Sequence, residues 1–319
     1  MIAEAESLGC EAAWVVDFQL GLKDVYAALL VAAGATSRIL LGPGVTNFVT
    51  RHPTVTANAI TAVDELSEGR ALLGVGTGAT AVFGANSAPS SLGEVRRWVG
   101  VLRGLFTGEE TELGDGGPPV QLASAGRQVP IYISASQPRM LGLAGEIADG
   151  VIMMGAADAE FCRWQLEHVY RGLEASSRPR EALTVDLFVT MSAGPDVAAA
   201  VRDVRAWAVG QASGFARWKE LPPACLPYRP DFERARSAYR LVEHLSLHAS
   251  HNDSISEEFV RWAAIAGTED ECVSRLEKLA ALDIDRISFA LLSGGRSRRL
   301  HQLAEGILPR VRGFSPVGP

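Results

Sequence analysis

Cysteine is scarce in this chain. Its 319 residues hold four, Cys10, Cys162, Cys225 and Cys272, standing far apart and never as CxxC or in a Cys/His cluster. That spacing excludes a disulfide framework and a zinc pattern, so no metal site is expected, and a reducing cytoplasm is the simplest setting. Basic charge is short as well. Thirty Lys and Arg face 37 Asp and Glu, a formal net charge of −7. Nucleic acid calls for the opposite balance, so no nucleic-acid partner is expected. No apolar run approaches the ~20 residues of a membrane span. The opening Met1-Ile2-Ala3-Glu4-Ala5-Glu6 has neither the basic start nor the long apolar stretch of a signal peptide.

What is present is an ordinary globular composition, 47% hydrophobic and 21% charged, with helical and strand patterns in alternation. Seven strands are expected: Ala12–Phe18, Arg38–Asn47, Arg70–Gly78, Val129–Ser136, Gly150–Gly155, Leu183–Ala193 and Arg286–Ser293. Helices fill the gaps, with Asp24 and Thr268 as N-caps. A mostly helical stretch at about 195–262 is broken by Leu221-Pro222-Pro223. The strands read as continuous apolar runs, the pattern of a parallel sheet covered on both faces. Such alternation predicts an α/β fold, either a TIM-like barrel or a doubly wound sheet. The length suits one barrel domain over 1–319 with a helical insertion before the last strand.

Two strands end in glycine-rich bends, Leu41-Gly42-Pro43-Gly44-Val45-Thr46-Asn47 and Leu73-Gly74-Val75-Gly76-Thr77-Gly78. Lacking a Cβ, glycine lets a backbone come close to a flat ligand or a phosphate. The second bend is not a P-loop, because no Lys-Ser/Thr follows it. Asp17 ends an apolar strand; it is either a carboxylate in a barrel mouth or a helix cap or ion-paired core group. His52 precedes Pro53 in a loop and is either a ligand contact or a solvated histidine. Ser134 and Ser136 fit a phosphate contact or a helix cap. Trp14 and Tyr26 read as core. His244, His248 and His251 read as a solvated helix face and loop, and Arg296, Arg298 and Arg299 as helix surface.

Three blocks together resemble one family. They run from Trp14-Val15-Val16-Asp17 through Asp24-Val25-Tyr26 to Gly42–Asn47; from Asp64-Glu65-Leu66-Ser67-Glu68-Gly69-Arg70 to Gly74–Gly78; and from Pro130-Ile131-Tyr132 through Pro138-Arg139-Met140 to Leu143–Ile152. The chain resembles the bacterial-luciferase-like superfamily of flavin- or F420-dependent oxidoreductases. Within it, the nearest branch is the F420-dependent methylenetetrahydromethanopterin reductases. The resemblance implies a TIM (β/α)8 barrel with its site at the C-terminal strand ends. It implies a non-prolyl cis peptide at Gly44-Val45 behind the cofactor ring. Cofactor contacts would come from Gly44, Val45, Thr46, Gly76, Thr77 and Gly78, and from Ala135, Ser136, Gln137 and Pro138 beside the phosphate-bearing tail. Asp17 and His52 are the catalytic candidates. The expected cofactor is F420, with FMN the alternative, and the expected partner a small-molecule substrate, in a homodimer or larger homo-oligomer.

Three departures bear on the chemistry. Phe18 stands where relatives commonly carry a histidine, and Ala79 where an acidic residue usually follows the glycine turn; neither can move a proton. The barrel also lacks its first strand, since the chain opens inside a helix, which points to a start placed downstream of the true one or to a shortened copy. Hydride transfer with F420 is the favoured activity. An FMN-dependent monooxygenase is the alternative, and a non-catalytic flavin- or F420-binding protein the reading from another class.

Overall fold

The computed structural model describes residues 1–114, 116–291 and 295–312. The expected end of the last strand at Ser293 and the tail from Ser315 lie outside them. The chain divides into two compact units, Met1–Ile152 with His168–Thr184, and Met153–Glu167 with the chain from Val185 on.

The first unit opens with α1 (Ile2–Ser7), β1 (Ala12–Val15), α2 (Val25–Ala35), β2 (Leu40–Pro43) and β3 (Thr46–Asn47). It continues through α3 (Pro53–Leu66), β4 (Leu73–Gly76), α4 (Thr80–Gly84), α5 (Leu92–Thr107), β5 (Ile131–Ala135), α6 (Pro138–Ile147) and β6 (Gly150–Met153), whose last residue belongs to the second unit. The ladders joining β1 to β2 and β3 to β4 to β5 are parallel. β1 pairs with β2, Ala12 opposite Leu40 and Val15 opposite Pro43. β3 pairs with β4, and β4 with β5. Almost every residue of β2 to β6 is buried, as the continuous apolar runs require.

Local chemistry sets the helix starts. The Asp24 carboxylate accepts from the amides of Tyr26 and Ala27. Ser91 and Glu94 close a capping box on α5. Element ends are then tied together by charge. Glu6 accepts from the amides of Ser37, Arg38 and Ile39, which hold its carboxyl below the usual carboxylate range. Arg70 donates to the carbonyls of Ala33, Thr36, Ile39 and Ser67. Asp64 is held by Arg127, which donates through Nε and Nη2.

Helix α7 (Ala159–Ala175) crosses the division of the chain. The second unit then contributes β7 (Thr184–Ala193), α8 (Val197–Phe215), α9 (Arg229–Ala238), α10 (Glu257–Ala263), β8 (Ile265–Gly267), α11 (Glu269–Ala280), β9 (Arg286–Ala290) and α12 (Arg296–His301). β7 pairs in parallel with β9 and, at its far end, with β8. The expected insertion is helical, and α8 ends before Leu221-Pro222-Pro223 as anticipated. Its aromatics form a core together with Phe161 of α7. Phe161, Phe215, Phe232, Phe259 and Trp262 are buried together, with Trp218 and Tyr228 packed against them.

Four details correct the sequence reading. β8 was expected to be part of no strand, and α4 of no helix; both are too short for a periodic signal. His251 is buried, 1% exposed, and stacks on Tyr239 at 4.7 Å between ring centres. Arg299 is not surface: it donates to Ser192 Oγ at 2.7 Å and pairs with Asp203. Cys162, Cys225 and Cys272 are buried and Cys10 is half-buried. Burial pushes the first three thiols up to about 12, 12 and 11.

Candidate active site

The ladder β3-β4-β5 brings three predicted segments to one end of the first unit. Thr46 lies opposite Val75 and Asn47 opposite Gly76, while Val75 lies opposite Ile133 on the other side. Thr46, Asn47, Gly76 and Ala135 are buried, whereas Gly44, Val45, Thr77, Gly78, Ser136 and Pro138 are half-buried. The result is a strip of largely apolar backbone at the C-terminal strand ends, where open α/β and barrel folds place their ligands. The Gly44-Val45 peptide is cis, as the resemblance implied.

The glycines of this strip serve two different ends. At Gly42, Gly44 and Gly74 an added Cβ would lie 2.8, 2.5 and 3.3 Å from atoms of Trp14. These glycines make room for an indole, which also meets Tyr132 edge-on at 5.3 Å. Trp14 is half-buried rather than core, packed on these glycines and Tyr132. Gly76 is different: its Cβ would meet nothing nearer than Val45 Cγ2 at 3.2 Å and Ser134 Cβ at 3.7 Å. Gly78 has φ +82°, and its Cβ would collide with Val82 and press on Asn47. Asn47 caps its own turn, accepting from the amides of Val49 and Thr50.

Asp17 is buried and fully engaged. It accepts from Thr46 Oγ1 at 2.7 Å and from Arg51 Nε and Nη2 at 2.8 and 3.1 Å. Arg51 Nη2 also reaches Asp24 at 2.8 Å. The two carboxylates hold the Arg51 guanidinium firmly protonated. The Tyr26 ring lies under that guanidinium at 5.1 Å, and burial followed by the charge of Asp17 drives its phenol above the ordinary range. His52 is exposed and caps α3, its Nδ1 accepting from the Thr54 amide at 3.3 Å while the ring leans on Trp98. Asp17 and His52 flank the same β3 segment, and each has a structural partner. Sequence reasoning missed Arg51; it lies 34 positions from Asp17, and no local signal joins them.

At the end of β5, Gln137 is the N-cap of α6 without a side-chain cap, and Pro138 occupies the first turn. Pro138 has no N–H and the Met140 amide returns to the Gln137 carbonyl, so the Arg139 amide is the one in that turn left for another acceptor. Among the described residues, no group of His, Cys, Asp and Glu is placed to hold a metal, and no helix is long and apolar enough to cross a membrane.

A profile of the family described as "Luciferase-like monooxygenase" matches residues 1–286. The chain belongs to this family. It is an enzyme of the luciferase-like oxidoreductase kind. A 5,10-methylenetetrahydromethanopterin reductase from Methanolobus tindarius is 29% identical over 294 residues, 89% of this chain and 86% of that protein. An F420-dependent glucose-6-phosphate dehydrogenase from Nakamurella multipartita is 28% identical over 91% of this chain and 83% of its own length. The solved coenzyme F420 dependent tetrahydromethanopterin reductase from Methanopyrus kandleri superposes with a TM-score of 0.78 at 22% identity, over 98% of this chain and 95% of that one. The luciferase-like α/β fold, with its parallel strands, is that of the TIM-barrel enzymes of this kind.

Proposed function

We propose that this luciferase-like chain is an F420-dependent oxidoreductase that transfers a hydride between the deazaflavin and a small organic substrate. The observation that carries the reading is the half-open strip Gly44-Val45 and Gly76-Thr77-Gly78, set beside an α6 N-terminus that no side chain caps. The strip suits a flat ring, since side chains at Gly76 and Gly78 are absent or blocked. The Arg139 amide and the positive end of the α6 dipole suit an anionic tail near Ala135, Ser136, Gln137 and Pro138. The F420 dependence of the glucose-6-phosphate dehydrogenase relative supports the same choice.

When bound, F420 supplies the hydride chemistry. The chain positions it and excludes water. In this reading Asp17 is a positioning residue: through Thr46 and Arg51 it holds the backbone just past Val45. His52, exposed at the neighbouring helix start, is the titratable side chain left to exchange a proton with substrate or water. Assembly as a homodimer or larger homo-oligomer belongs to the same reading.

Fluorescence titration with F420 and with FMN tests the proposal. Selective F420 binding is the expected result; preference for FMN moves the chain to the monooxygenases, and binding of neither rejects the site. An Asp17→Asn variant separates positioning from proton transfer. Positioning weakens F420 binding about tenfold, whereas a pure proton donor lowers turnover and leaves that affinity unchanged.

A further inference from the structure

We infer that the rim formed by Phe18, Leu20, Ala79 and Phe83 takes an uncharged, apolar organic substrate and turns anionic ones away. This rests on the functional reading above and specifies its substrate class. The first observation is charge. The strand ends of the first unit open into the segments 16–24, 44–51, 77–91 and 134–138. The charged side chains in all four are Asp17, Lys23, Asp24 and Arg51, two of each sign. From Thr77 to Ser91, fifteen residues carry none. Asp17 and Asp24 share Arg51 at 2.8 Å, which leaves that cluster net negative. An anionic substrate entering there loses its water and meets a net negative cluster; of the two cations in these segments, Arg51 is already paired and Lys23 is exposed to solvent.

The second observation is shape. Leu20 is 67% exposed and Phe83 37%, a large apolar area at the surface. Neither belongs to a loose segment. The Phe18 ring sits 2.8 Å from where a Cβ of Gly21 would be, and Leu20 Cδ1 2.8 Å from that of Gly84. Gln19 Nε2 donates to the Ala81 carbonyl at 2.8 Å, and the amides of Gly21 and Leu22 return to the Phe18 carbonyl. The 18–22 turn is thus fixed to α4. That helix is fixed in turn to the glycine strip, because Val82 fills the space beside Gly78. The apolar rim is continuous with the strip and pre-formed, which is how small-molecule sites are built.

The test uses two ketones of matched size, 4-isopropylacetophenone and 4-acetylbenzoate, with binding followed by calorimetry on the purified chain with and without F420. The neutral ketone is expected to bind at least tenfold tighter. Leu20→Lys and Phe83→Lys, made separately at exposed positions and checked for an unchanged melting temperature, are each expected to close that gap by weakening the neutral probe and strengthening the anionic one. Equal or tighter binding of 4-acetylbenzoate to the native chain overturns the inference, as does binding of neither ketone. F420 affinity is read in the same samples. Loss of F420 binding with the ketone preference intact rejects the cofactor and leaves the rim's chemistry standing. F420 binding without the preference rejects the rim alone.

Discussion

In the first unit the element ends are held by charge-assisted hydrogen bonds; in the second, the helices from Val197 to Ala263 are held by aromatic rings. Asp17 with Arg51, Asp64 with Arg127, Glu6 on three amides and Arg70 on the carbonyls of Ala33, Thr36 and Ile39 all join chain ends that are distant in sequence. The insertion has buried polar contacts too, but its centre is Phe215, Phe232, Phe259 and Trp262, joined by Phe161 of α7, with ring centres 5 to 6 Å apart. The lesson is about tolerance. Directional bonds fix where a backbone lies, which a site needs, while a ring cluster supplies burial and tolerates small shifts.

That contrast can be broken at several points. The largest expected effect is in the insertion. Phe232→Ala removes a ring that is 1% exposed and should cost about 4 kcal/mol in urea unfolding, with F420 affinity of the folded protein unchanged. Next comes Arg51→Ala, which strands the buried Asp17 carboxylate. It should cost about 3 kcal/mol and, unlike the first, weaken cofactor binding. If both variants affect binding alike, the division of labour between the units is wrong.

Gly74→Ala puts a Cβ 2.3 Å from the Pro43 carbonyl and 3.0 Å from Val45. Overpacking of that kind costs about 2 kcal/mol, and the shift should reach Val45 and lower F420 affinity. The smallest effect is one of pH. Burial lowers the pKa of His251 and His244 below the ordinary 6.5, against the opposing charge of Glu243 at His251. The unfolded chain therefore takes up more protons as pH falls from about 6.5 towards the folded-state values. Stability is flat above that window and declines within it, by at most ~1.4 kcal/mol per pH unit for each group. His251→Gln should flatten the slope in a series of urea melts from pH 7.5 to 5.

Much of this architecture was legible because it depends on short-range chemistry. Asp24 and Thr268 cap the helices they precede, and the Ser91-x-x-Glu94 signature was there to be read for α5. Continuous apolar runs placed the seven long strands. β8, with three residues, and α4, with five, lie below any periodicity. The site was legible as a segment and not as a set of contacts. A glycine reads the same whether it clears space for Trp14, as Gly42 does, or leaves a strip open, as Gly76 does. Asp17 could not be told from a free carboxylate until Arg51 folded onto it. The buried His251 and the half-buried Arg299 escaped because charged and titratable residues are expected on surfaces unless a partner is known.

The cysteines have a practical consequence. Three thiols are enclosed and raised to 11 or beyond, while Cys10 is half-buried and its thiol also raised by burial, so a maleimide reaches Cys10 first, and slowly at neutral pH. Cys10 lies just before β1, at the opposite end of that strand from Val16 and Asp17. The unmutated chain therefore carries a built-in single attachment point, where a dye can report on folding or assembly without standing in the path of a ligand.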